Sequence, residues 1–85
     1  MVVRQYDTSK GRVFVTLNGS SFCVEDKKRK VVGNGSYSIE GNHNLVFGVD
    51  IKEPYRDVAR DAVMTAIAQE TGLSEFHFSR DKPKP

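Results

Sequence analysis

Eighty-five residues, 38% apolar and 28% charged, make one domain that buries about 60% of the surface its unfolded chain exposes. A single cysteine excludes an intrachain disulfide and points to a reducing compartment, most simply the cytoplasm. Residues Met1–Asp7 lack the apolar core of a signal peptide, and no stretch approaches the roughly 18 apolar residues of a membrane span, so no membrane partner is expected. Net charge is only +2, but it is unevenly spread. Residues 1–30 carry seven basic and three acidic side chains, whereas residues 31–79 carry three basic and seven acidic.

In chain order, Val2–Tyr6 reads as a first strand and Asp7-Thr8-Ser9-Lys10-Gly11 as a turn. Arg12–Leu17 is strongly β-prone, with Val13, Val15 and Leu17 on one face. Asn18-Gly19 is a two-residue hairpin signal, and Ser21–Glu25 returns as the next strand. Asp26–Lys30 is a charged loop. Val31-Val32 begins a short strand, Asn34-Gly35 repeats the hairpin signal, and Ser36–Glu40 alternates with Tyr37 and Ile39 on one face. After the turn cluster Gly41–Asn44, the longest strand places Leu45, Phe47, Val49 and Ile51 on one face and Val46, Gly48 and Asp50 on the other.

Residues 54–73 then read as one amphipathic helix, with Tyr55, Ala59, Ala62, Val63 and Ala66 along one stripe. Pro54 suits its first position, and Gly72 suits a left-handed stop, with Leu73 as the apolar contact after it. Glu75–Ser79 reads as a short edge strand. Residues 80–85 are expected to be a mobile basic, proline-containing tail behind a single 1–79 domain. The pattern predicts an α+β fold: an antiparallel meander of five to six strands packed by one C-terminal amphipathic helix, with a short edge strand after it. The expected core is Val13, Val15, Leu17, Ile39, Leu45, Phe47, Val49, Ala59, Ala62, Val63 and Ala66.

Two surfaces are candidates for binding. Lys10, Arg12, Lys27, Lys28, Arg29 and Lys30 could form a phosphate-binding stripe at the hairpin end of the sheet. Phe14, Phe22 and Tyr37 would supply stacking faces if they pointed outward. The segment Val3–Val15 resembles the opening hairpin of cold-shock domains at Val3, Arg4, Tyr6, Asp7, Lys10, Gly11, Phe14 and Val15, which implies nucleic-acid binding. It departs from that pattern at Gln5, Arg12 and Val13, where the family has tryptophan, an aromatic and glycine.

On the helix, Glu53, Asp57 and Asp61 sit four apart as an acidic ridge, beside a basic ridge of Arg56 and Arg60. Such alternation makes either a solvated face with ion pairs of a few tenths of a kcal/mol each, or a surface that a partner protein reads. Cys23, His43 and His77 are the only soft metal ligands. They form no Cys-x-x-Cys and no histidine pair at helical spacing, so no metal or other cofactor is expected. Cys23 with either histidine is the only thiol pair available, and nothing local activates it.

The reading that remains is a small intracellular, non-enzymatic protein-interaction module, of the kind represented by stoichiometric inhibitors or adaptors of bacterial or phage origin. Its expected contacts are Arg56, Asp57, Arg60, Asp61 and Glu53. Nucleic-acid binding through the basic hairpin loops is the alternative. Self-association is a third option, with the strand around Phe76 and Phe78 pairing across a two-fold axis to give a homodimer.

Overall fold

Strand β1 (Val2–Thr8) turns at Lys10 into β2 (Gly11–Asn18), and Asn18-Gly19 turns that strand into β3 (Ser21–Glu25). Both turns fall where glycine sits at positive φ, Gly11 at 107° and Gly19 at 62°, a region that L side chains rarely adopt. Strands β4 (Val31–Glu40) and β5 (His43–Ile51) come next, then helix α1 (Arg56–Thr71) and strand β6 (Phe76–Ser79). The structure, a computed structural model, describes residues 1–79; the tail expected over 80–85 lies outside the described residues.

The six strands form one sheet in chain order, antiparallel from β1 to β5, and α1 packs on it. The fold is therefore α+β, as the pattern predicts. The last pairing differs from an all-antiparallel meander: β6 runs parallel to β5, Asn44 opposite Phe76 and Phe47 opposite Ser79. The helix carries the chain back along the sheet, and a crossover of that kind returns the next strand in the same direction.

The expected second hairpin at Asn34-Gly35 is not formed. Strand β4 runs unbroken through it. The glycines there serve close packing: a Cβ on Gly33 would come 2.7 Å from Ile51 Cγ1, and one on Gly35 would overlap the Phe22 ring. Absence of a side chain, not freedom to turn, is what these two positions supply.

The core lies between sheet and helix. Val13, Val15, Leu17, Phe22 and Val24 come from β2 and β3, and Ala59, Ala62, Val63, Ala66 and Ile67 from α1. The expected core fails at three residues. Ile39 is 56% and Val49 37% exposed, and Leu45 is only half-buried. Val46 and Ile51 are buried instead, and Phe47 is buried outside the main cluster. The cause on β5 is a bulge. Asn34 pairs with Asp50 and Ser36 with Phe47, so Gly35 alone faces Gly48 and Val49. Gly48 takes φ 64° there. One extra residue reverses the inside–outside phase of the strand beyond it. Val46 before the bulge and Ile51 after it both reach the core, although the simple alternation separates them.

The helix starts at Arg56, two residues later than expected, with Tyr55 as its N-cap residue and Pro54 before it. It ends as expected. Gly72 sits at φ 76° and donates its N–H to the Ala68 carbonyl at 2.8 Å. The Thr71 hydroxyl donates to the Ile67 carbonyl and accepts the Leu73 N–H, satisfying two further groups at this end.

Candidate functional site

The two charged ridges of the helix do not form one face. Arg56 and Arg60 look toward β5 and β6, whereas Asp61 looks toward β1 and lines a depression with Tyr6 and Ser9. Asp57, one turn before Asp61, belongs to the same acidic flank. Glu53 lies in the preceding loop and pairs with Arg56 at 3.3 Å. The expected interaction residues are thus divided between opposite sides of one helix.

The basic flank borders a groove of about 490 Å³. Its walls are Arg56 and Arg60 of α1, Phe78 of β6 and the Gly48–Ile51 stretch of β5 beyond the bulge. The Arg60 guanidinium lies 3.9 Å over the Phe78 ring. Stacking holds the planar cation in place while leaving its edge N–H donors for a ligand oxygen. Arg60 makes no ion pair among the described residues. The paired part of β6 ends opposite Phe47, so no described strand pairs with β5 from Gly48 to Ile51 on this side.

The second candidate set lies at one end of the sheet. The β1–β2 turn carries Lys10, and the β3–β4 loop carries Lys27, Lys28, Arg29 and Lys30; antiparallel order brings both to the same end. Two members are engaged by neighbours. Arg12 Nε is 3.0 Å from Asp7 Oδ1, and Arg29 Nε is 3.2 Å from Glu25 Oε1. Arg29 also covers the Phe14 ring at 4.3 Å. Lys10, Lys27, Lys28 and Lys30 make no ion pair among the described residues. The loop is shaped by Asp26, whose carboxylate accepts the N–H groups of Lys28 and Lys30 at 2.9 and 3.0 Å. Phe22 and Tyr37 point into the core, 3% and 8% exposed. Of the three aromatics offered for stacking, only Phe14 is near the cations, and Arg29 already occupies its face.

Cys23 is half-buried on β3, and burial, reinforced by the nearby Glu25, pushes its thiol above the ordinary value. That direction disfavours the thiolate a nucleophile requires. What the spacing did not reveal is that His43 and His77, 34 positions apart, have ring centroids only 5.6 Å from each other. Parallel pairing of β5 with β6 brings them together, and nothing in the local sequence signals that pairing.

No family model matches this chain, and neither does any curated protein or solved structure.

Proposed function

We propose that this protein is a non-enzymatic protein-interaction module whose docking surface is the groove between the basic flank of the helix and the β5–β6 edge. The observation that carries the reading is Arg60: a guanidinium fixed on Phe78, with no carboxylate partner among the described residues, beside a strand stretch with no described neighbour. Arginine stacked on an aromatic, beside a strand stretch with no described neighbour, suits an extended acidic segment of another protein.

Affinity capture with immobilised wild-type protein, Arg60→Glu and Asp61→Lys tests the proposal. The partner should be retained by wild type and Asp61→Lys and lost with Arg60→Glu. A partner captured equally by all three would place the contact elsewhere.

Nucleic-acid binding is retained as a second reading because Lys10, Lys27, Lys28 and Lys30 share one end of the sheet without ion pairs. Its test is the salt dependence of anisotropy with labelled single-stranded and duplex oligonucleotides. Replacing Lys27, Lys28 and Lys30 with serine flattens the salt slope if they contact phosphates, and an unchanged slope rejects them.

A further inference from the structure

At the far end of β5 from the groove, Asn44 locks two chain segments together. Its side chain is fully buried, its Nδ2 donates to the Leu73 carbonyl at 2.9 Å, and its backbone N–H donates to the Glu75 carbonyl at 2.8 Å. These bonds fix the start of β6 against the start of β5. His43 precedes Asn44, and His77 lies two residues after Glu75. Asn44 pairs with Phe76 and Leu45 with His77, which sets the two histidines on the sheet face that Asn44 does not occupy. They are the only histidines in the chain.

The ring centroids are 5.6 Å apart and the planes are tilted by 43°. An imidazole nitrogen bound to a metal at about 2.0–2.1 Å puts its ring centroid about 3.2 Å from the ion. Two such rings at a tetrahedral angle have centroids about 5.2 Å apart, and at a right angle about 4.5 Å. The observed spacing is close to the tetrahedral one, so a small rotation of the exposed His77 and half-buried His43 side chains would bring both rings onto one ion. We propose that His43 and His77 form a two-imidazole site for a divalent transition-metal ion of the zinc, nickel and copper class. The backbone beneath it is already fixed, so binding does not have to order the two strands. Among the described residues no group of three His, Cys, Asp or Glu side chains is in place to hold a metal. Two of the described residues therefore hold the ion, with water at its open positions.

The test uses the full chain carrying Cys23→Ser, which removes the competing thiol, titrated with zinc chloride and then nickel chloride. Calorimetry should show one ion per chain, and the NMR signals of both imidazoles should respond together. His77→Asn, at an exposed position, should weaken binding at least tenfold with an unchanged circular dichroism spectrum. His43→Asn should do the same. No response to millimolar zinc or nickel, or equal binding by His77→Asn, overturns the proposal.

Discussion

Asn44 is the one polar side chain fully buried among the described residues. Its amide nitrogen reaches the Leu73 carbonyl, while its Oδ1 has no hydrogen-bond partner among the described residues. Asn44→Ala removes the donor and leaves the Leu73 carbonyl unpaired, which should cost about 1–3 kcal/mol in urea unfolding. In the sequence this residue belongs to the turn-like run Gly41–Asn44, and asparagine in such a run ordinarily marks a turn. Its role depends on Leu73 and Glu75, about thirty positions away, and no local pattern encodes that. Tyr37 illustrates a second residue-scale effect. Burial, with Glu70 adding, raises its phenol above the ordinary 10.0, and burial does the same to Tyr6 against an opposing pull from Arg4. A raised folded value means that the folded state favours the neutral phenol. Stability from this source is complete below pH 10.0 and is lost as pH rises through the raised values. Tyr37→Phe should therefore lose less stability than wild type between pH 9 and 11, measured as the change in Tm with pH.

Among the elements, β2 and the helix were legible because their periods are unbroken, whereas β3 was legible as a strand but not in its inward face, Phe22 and Val24. Val13, Val15 and Leu17 alternate into the core, and Ala59, Ala62, Val63 and Ala66 follow helical spacing. Strands β4 and β5 were legible as strands, but the continuity of β4 and the inward face of β5 were not, for two physical reasons. The Gly33–Ser36 run contains the dipeptide of a hairpin turn, but its glycines accommodate Ile51 and Phe22 from neighbouring strands. The bulge at Gly48 then reverses the alternation of β5, so a strict period assigns Leu45 and Val49 to the wrong face. Gly35→Ala tests the packing account. The added Cβ meets the Phe22 ring, and the substitution should destabilise the fold by about 1–3 kcal/mol. A mutant as stable as wild type would show that the ring yields freely. On the helix, Ile67 is fully buried and truncation to alanine should cost about 2–5 kcal/mol, measured by chemical unfolding.

For the whole molecule, the helix separates charge. Its basic flank meets the β5–β6 edge and its acidic flank meets β1. The linear charge pattern showed two ridges, but which sheet edge each ridge faces is decided by the crossing of helix over sheet. The candidate groove was therefore half legible: Arg56 and Arg60 were marked by spacing, whereas Phe78 and the Gly48–Ile51 edge join them only through the parallel return of β6. Exposed charges act over about 8–10 Å at physiological salt, so the two flanks are expected to favour partners of opposite sign. Raising salt should weaken capture by wild type, and Arg56→Glu combined with Arg60→Glu should remove that sensitivity along with the binding. The most direct measurement is the amide NMR spectrum of labelled protein with and without the captured partner. The account predicts shifts concentrated at Gly48–Ile51, Arg56, Arg60 and Phe78. Shifts confined to Lys10, Arg12 and Lys27–Lys30, with the groove silent, would contradict it.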